Sequence, residues 1–318
     1  MKKIIAILIG FGKMGFGLGH NDKLSHYGAL KFLNNKFCLK SVIDKKFSKN
    51  QGFYSSDLNR SLKNHNPELA IISVSSKSHF NIVEKLLKSK FCPKVLFLDK
   101  PSFQNLVEFK KIKKLIKNKK NTKIILNQTY RFDKNLEKLR NIFRLKKFGK
   151  LHKVSINYTN GLKNNANHLF DIFFYLFNGN FKFRPLWSFK NPVNFFKNKN
   201  TNYDFCLLEE KKKITINGQS FDNNFFEIFE VMFYFSKCRI IAADFFKEYY
   251  IEQIKYDRFQ NKEINRKKKL FKTIKNSPLI NAYNLIYSYF VSKKINKKFE
   301  IYDNEKTIKL IDTIEKYV

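Results

Sequence analysis

The residues best suited to chemistry lie in three places. Near the N-terminus, Gly10, Phe11, Gly12, Lys13, Met14 and Gly15 spell G-x-G-x-x-G directly after the apolar run Ile4 to Ile9. A strand that feeds a glycine turn opening a helix cradles a phosphate. The first glycine permits the tight turn, the second lets the backbone approach a pyrophosphate, and the third lets helix and strand pack closely. At mid-chain, Asp99-Lys100-Pro101 closes another apolar run and holds an ammonium at its end. Further on, Asn164, His168 and Asp171 stand at i, i+4 and i+7, one face of a helix. Histidine exchanges protons near neutral pH. A single histidine on a helix is nevertheless more often a structural hydrogen-bonder, and a glycine pattern alone also fits a turn of another α/β domain.

The elements that must position these residues alternate in the first half. Ile4 to Ile9 is a strand, Phe16 to Asn34 reads as a helix broken near His20-Asn21-Asp22, and Leu39 to Ile43 is a second strand ending at Asp44. An acidic residue at that strand end can accept hydrogen bonds from the ribose hydroxyls of an adenosine. Asp44 lies 29 residues past Gly15, farther than the usual offset of about 20. A helix over Ser56 to His65 follows, then a strand over Leu69 to Val74, and a helix from Ser75-Ser76-Lys77-Ser78-His79 to about Lys90. The strand Lys94 to Leu98, the lysine-rich helix Asn105 to Asn118 and the strand Thr122 to Leu126 complete the set. Such alternation predicts a parallel doubly wound sheet, with ligands outside the carboxyl ends of the strands. Those ends carry Gly10 to Gly15, Asp44, Ser75 to His79, Asp99-Lys100 and Asn127-Gln128.

The second half changes character. Leu136 to Leu145 is helical, His152 to Tyr158 alternates as a strand, and Asn165 to Phe177 reads as a helix closed by Asn178-Gly179. Its Phe170, Phe173, Phe174 and Phe177 should face a core. Strand-like runs then follow at Asp204 to Leu208, Lys213 to Asn217, Phe225 to Phe235, Arg239 to Ala243 and Tyr249 to Ile254, with a hairpin suggested by Asn217-Gly218. Helices close the chain at Ser277 to Val291 and Asp303 to Tyr317. The expected architecture is an α/β Rossmann dinucleotide-binding domain over 1–126, followed over 127–318 by an α+β domain with a mostly antiparallel sheet.

Composition narrows the classes. There are 63 Lys and Arg against 26 Asp and Glu in 318 residues, a formal charge of +37. The lysines are spread along the whole chain, and the short runs Lys117 to Lys120 and Arg266 to Lys269 look like helix ends or loops. Lysine, asparagine, isoleucine, phenylalanine and tyrosine are all abundant, as an A/T-rich coding bias would produce. No specific nucleic-acid partner is expected, since that needs a concentrated basic face. Cys38, Cys92, Cys206 and Cys238 are scattered, which argues against a metal centre or a disulfide framework. No stretch of 18 apolar residues occurs, so no membrane span is expected. The MKK start with its short apolar run imitates a secretory signal, yet leads into the glycine turn, so a cytoplasmic protein is expected.

The chain resembles the glucose-fructose oxidoreductase / inositol dehydrogenase (Gfo/Idh/MocA) family. Four features in the family's order carry the resemblance: Gly10 to Gly15, Asp99-Lys100-Pro101 where the family has Glu-Lys-Pro, Asn127-x3-Arg131-Phe132, and Asn164-x3-His168-x2-Asp171 where the family has Asp-x3-His-x2-Asp. They span roughly residues 3 to 180. Two departures stand out, Asp99 for Glu and Asn164 for Asp. An amide cannot take a proton, which puts any relay needing a carboxylate there in doubt.

The resemblance implies an NAD(P)-dependent oxidoreductase acting on a sugar or nucleotide sugar. Lys100 would contact cofactor and substrate and stabilise the developing alkoxide, and His168 would be the acid/base. The cofactor would meet Gly10 to Gly15, Asp44, Ser75, His79, Asp99, Lys100 and Asn127. Ser75 could equally cap a helix. Tyr130, Arg131, Tyr158, Asn164 and His168 would line the sugar pocket with Lys100, although Arg131 could instead pair a buried carboxylate. Asp171 could orient His168, though a backbone bond is favoured. Asp44 would repel a 2′-phosphate and favours NAD slightly over NADP, with Lys45 and Lys46 offsetting it. Asn164 beside Gly161-Leu162-Lys163 is similar to members linked to surface-polysaccharide sugars. The α+β domain over 127–318 would serve substrate binding and oligomerisation, and a homo-oligomer is the expected assembly. The alternative is a non-catalytic dinucleotide-binding regulatory or scaffold protein of the same fold.

Overall fold

The structure is a computed structural model that describes residues 2–17, 22–47, 52–119, 121–145, 148–177, 183–190, 201–211, 213–264, 268–271, 277–292, 299–301 and 304–317. The expected cap at Asn178-Gly179 and parts of the lysine runs at 117–120 and 266–269 lie outside the described residues. The chain forms two compact units. One comprises Met1–Asp133 with Asn276–Glu305, the other Lys134–Lys275 with Lys306–Val318.

The first unit is built on a six-stranded sheet. Its strands are β1 (Ile4–Ile9), β2 (Phe37–Ile43), β3 (Tyr54–Ser55), β4 (Leu69–Ile72), β5 (Val95–Asp99) and β6 (Lys123–Asn127). They lie in the order β3-β2-β1-β4-β5-β6, and every pairing is parallel. The strands read as continuous apolar runs because helices cover both faces of such a sheet; Leu8, Ile71 and Phe97 are fully buried. The order reverses between β1 and β4, the switch point where ligands bind in such sheets.

Helices α2 (Leu58–His65), α3 (Ser76–Lys88) and α4 (Leu106–Lys117) connect the strands. The Asp57 carboxylate caps α2 by accepting from Arg60 N–H, and Asn105 caps α4 from Glu108 N–H, each cap worth about 1 kcal/mol. The chain later returns to this unit with α7 (Pro278–Ser292), whose Leu279, Ala282, Tyr283 and Ile286 join the core around Ile4, Leu33, Phe37 and Phe97.

The first helix departs from expectation. Among the described residues of the expected helix Phe16 to Asn34, α1 (His26–Phe32) alone is α-helical. A single turn forms after the glycines, closed by Phe16 N–H on Gly12 O. The carbonyls of Met14 and Gly15 then accept from His26 and Tyr27 rather than from residues 18 and 19, so the stretch between is an eight-residue insertion in a helix that resumes. The insertion accounts for the long spacing: without it, Asp44 would stand about 20 residues past Gly15. Ser25 caps the resumed helix by accepting from Gly28 N–H. The buried face is His26, Ala29 and Leu30, and Leu24 just before it is exposed.

The second unit carries a nine-stranded sheet whose main path runs β14-β13-β12-β11-β7-β10-β9-β8. The strands are β7 (Leu151–Tyr158), β8 (Phe183–Lys190), β9 (Tyr203–Glu209), β10 (Ile214–Ser220), β11 (Phe229–Phe235), β12 (Cys238–Ala243), β13 (Glu248–Tyr256), β14 (Lys262–Ile264) and β15 (Lys268–Lys269), which pairs with β13. All pairings are antiparallel except β10 with β7. Helices α5 (Lys134–Arg144) and α6 (Asn167–Leu176) pack on the sheet, with Phe143 5.1 Å and Phe173 6.4 Å, centroid to centroid, from Phe233. Helix α8 (Asn304–Lys316) docks against β8, where Ser188 Oγ donates to Ile314 O.

Three local expectations in this unit are corrected. Asn217-Gly218 is no hairpin: both residues lie inside β10, and Gly218 faces the Phe205 ring across the pair. Glycine is there to make room rather than to turn. The strand expected from Phe225 begins at Phe229, and Phe225 and Phe226 sit exposed in the preceding loop. The helix expected from Asn165 opens as a π-turn over Gly161–Ala166, before regular helix begins at Asn167.

Candidate active site

In the first unit the polar strand ends converge. Gly10 has φ +99°, and a Cβ there would lie 2.2 Å from Ser73 O, so the turn is closed to any side chain. A Cβ on Gly15 would lie 2.3 Å from Gly10 O, the close approach expected of the third glycine. At Gly12 a Cβ would meet nothing within 4 Å. The second glycine therefore faces open space, the cradle a pyrophosphate needs. Gly12, Lys13 and Met14 are exposed around it.

Asp44 is tied to this turn. Its Oδ2 accepts from Phe11 N–H at 2.8 Å and its Oδ1 from Lys46 N–H at 3.1 Å. The Lys46 ammonium donates to Phe11 O at 3.1 Å and stands 4.8 Å from the Phe11 ring centroid. A cation thus lies beside the acidic residue that would meet a ribose.

Lys100 follows the last residue of β5 and is partly buried, and its bond to Pro101 is cis. Burial brings its ammonium down to about 8, against the raising pull of Asp99. Asp99 is itself buried. Its Oδ1 lies 2.9 Å from His26 Nε2 and accepts from Asn127 Nδ2 at 2.8 Å. Burial would push Asp99 up, but the attraction of His26 and the hydrogen bonds from His26 and Asn127 outweigh it and bring the carboxyl to about 2. On the other side of Lys100, His79 is buried with Nδ1 2.8 Å from Pro101 O and Nε2 3.1 Å from Val74 O. Ser75 is exposed at the start of α3, and its hydroxyl pairs with Ser78 rather than capping the helix. Tyr130 and Arg131 sit on a 3₁₀ turn after β6, Tyr130 partly exposed and Arg131 buried.

In the second unit, Asn164 belongs to the π-turn and His168 to α6, so the even helical spacing between them is broken. Both are partly exposed, whereas Asp171 is buried with the phenylalanine face of α6. The His168 ring lies 6.5 Å, edge-on, from Phe229. Tyr158 is fully buried and its hydroxyl donates to Tyr203 O at 2.5 Å; burial pushes this phenol far up. Among the described residues, no group of three or more His, Cys, Asp or Glu could hold a metal ion, and no helix is long and apolar enough to cross a membrane.

Residues 7–127 match the family model GFO_IDH_MocA, the oxidoreductase family with an NAD-binding Rossmann fold. Over these residues the match supports the Gfo/Idh/MocA resemblance. No curated protein matches it in sequence. Its fold is nevertheless that of solved structures along its whole length. A putative NADPH-dependent oxidoreductase from Desulfitobacterium hafniense is 13% identical at a TM-score of 0.78, over 100% of this chain and 96% of that one. The WlbA dehydrogenase of Bordetella pertussis, solved with NADH and UDP-GlcNAcA, is 12% identical at 0.73, over 99% and 96%. A super-repressor mutant of Gal80p from Saccharomyces cerevisiae is 13% identical at 0.76, over 99% and 96%. At such identities the likeness shows the fold alone.

The glycine turn and Asp99-Lys100-Pro101 were legible from sequence. His26 and Tyr283 were not, although His26 Nδ1 lies 2.7 Å from Tyr283 Oη. The only local signal was a histidine three and four residues before the buried Ala29 and Leu30. Tyr283, 257 residues away, leaves no local trace.

Proposed function

We propose that this protein is an NAD(P)-dependent oxidoreductase that moves a hydride between nicotinamide and a carbon of a sugar or nucleotide sugar. The observation that carries the reading is Lys100, a partly buried ammonium one residue past β5, in the same sheet as the open cradle at Gly12. The family match supports it, as does the fold shared with a dehydrogenase solved with NADH and a UDP-sugar. Gly10 to Gly15, Asp44, Ser75 and Lys100 would hold the dinucleotide, which when bound supplies the hydride acceptor or donor. His79, Asp99 and Asn127, being buried, would support it from beneath.

Removing a hydride from a carbinol would leave a protonated carbonyl unless the hydroxyl proton departs first or with it, and the departure of that proton builds alkoxide charge on the oxygen. Lys100 would stabilise that charge, which it can do only while protonated, and His168 would exchange the proton. The Asn164 amide can hydrogen-bond a sugar hydroxyl but cannot take its proton. Tyr130 and Arg131 would contact the sugar from the first unit, whereas in the second the Tyr158 hydroxyl is engaged with Tyr203 O. Asp44 favours NAD, and Lys46 beside it leaves room for the 2′-phosphate of NADP.

Asn164 favours a second reading, a binding protein that holds dinucleotide and sugar without turnover; Gal80p, described as a transcriptional regulator in its Kluyveromyces form, shares the fold. Anaerobic mixing with NAD or NADP and a panel of nucleotide sugars, followed by absorbance of reduced nicotinamide, separates the two. A redox change on at least one sugar is expected. Tight cofactor binding with no redox change on any sugar overturns the oxidoreductase reading.

A further inference from the structure

Lys100 sits in a turn braced from several elements by buried groups. On its N-terminal side Asp99 is held by His26 from α1 and Asn127 from β6. Behind His26 stands Tyr283 from α7, and both are fully buried. On its C-terminal side, His79 Nδ1 faces the carbonyls of Pro101 and Ser102, at 2.8 and 3.2 Å. The Ser102 hydroxyl donates to Asn304 Oδ1 at 2.5 Å.

The donor and acceptor capacities of this set are specific. Ionised Asp99 only accepts, so His26 must present a hydrogen on Nε2. Tyr283 can secure that arrangement. Its phenol is pushed well up by burial and by the Asp99 charge, so it keeps its proton and can donate it to Nδ1, leaving the ring hydrogen on Nε2. A protonated ring would donate from both nitrogens and hold Asp99 in the same way. In either state the carboxylate is fixed, ionised and next to Lys100 in the chain.

We propose that His26, with Tyr283 behind it, is a positioning residue for Lys100: it fixes the ionised Asp99 carboxylate and so keeps the neighbouring ammonium charged. The Asp99 carboxyl is brought down by His26 from α1, Asn127 from β6 and Ser73 after β4, and its charge in turn raises the Tyr283 phenol from α7 and the adjacent Lys100 ammonium. The consequence for turnover rests on the oxidoreductase reading, whereas the effect on Lys100 does not.

The test is therefore made on cofactor-free protein, by trace acetylation between pH 6 and 10 with peptide mass spectrometry. Only a neutral amine reacts, so the profile at Lys100 reads its charge. In His26→Leu, Asp99 loses its principal donor, and the midpoint of the Lys100 profile is expected to fall by about one pH unit, which raises the neutral fraction at pH 7 from about one tenth to about one half. His26→Gln keeps an Nε2–H donor and should stay within about 0.3 of the wild-type midpoint, a factor of about two. Tyr283→Phe, which removes one oxygen, should move the midpoint in the same direction by less, and serves if His26→Leu fails to fold. An unchanged Lys100 midpoint in folded His26→Leu, or in Tyr283→Phe if that variant alone folds, overturns the proposal and leaves His26 a packing residue. Absence of turnover on every nucleotide sugar would overturn the reading above without altering this profile.

Discussion

His26 Nε2 lies 2.9 Å from Asp99 Oδ1, a buried contact between the first helix and the fifth strand of the sheet. It links the segment displaced by the insertion after the glycine turn to the turn that carries Lys100. One consequence is an acid limb of stability. The Asp99 carboxyl is held at about 2 in the folded protein and returns to about 3.9 when unfolded. A depressed folded value stabilises above the unfolded value and is lost as pH falls through the folded one. The stabilisation, about 2–3 kcal/mol, should therefore be complete above pH 4 and vanish toward pH 2. Urea unfolding across that window should show the gap between wild type and Asp99→Asn shrinking as pH drops; a constant gap would contradict the assignment.

The glycine turn separates binding from folding. Gly12→Val places its side chain in open space, so thermal stability should change by no more than about 0.5 kcal/mol while dinucleotide affinity is lost. Gly10→Ala should do the reverse of the first effect, because its Cβ meets Ser73 O and the backbone has φ +99°; a loss above about 2 kcal/mol is expected. Calorimetric titration with NAD and NADP, beside melting curves, checks both. Unchanged affinity in Gly12→Val would remove the cofactor site.

Lys100→Met should abolish turnover and leave cofactor affinity within about tenfold, or about 1.4 kcal/mol. The same variant has a stability signature. Burial holds Lys100 at about 8 against about 10.4 unfolded, so the folded state binds fewer protons between these values. Wild-type stability should rise with pH from 8 to 10.4 relative to Lys100→Met, measurable by denaturant unfolding at the two ends. Near-normal turnover in Lys100→Met would remove it from the chemistry.

Gly218→Val should destabilise the second unit by about 1–3 kcal/mol, because even a Cβ would lie 2.3 Å from the buried Phe205 ring. A chemical-denaturation midpoint equal to wild type would restore the possibility of a turn at Asn217-Gly218.

The sequence by itself determined what short-range chemistry controls. Apolar strand runs broken by helices required a parallel sheet, and the glycine spacing placed a phosphate cradle after β1. The family resemblance was carried by residues lying within a few positions of one another, Asp99-Lys100-Pro101 among them. Tertiary structure decided what depends on distant partners. The helix after the glycines is interrupted because Met14 and Gly15 find their acceptor-donor partners at His26 and Tyr27, an arrangement no local propensity encodes. Gly218 is a strand residue because Phe205 occupies the space beside it. Asp99 is an ionised buried carboxylate because His26 and Asn127 converge on it with Tyr283 behind. A buried charge is tolerated only where donors meet it, and those donors come from helices and strands that only folding brings together.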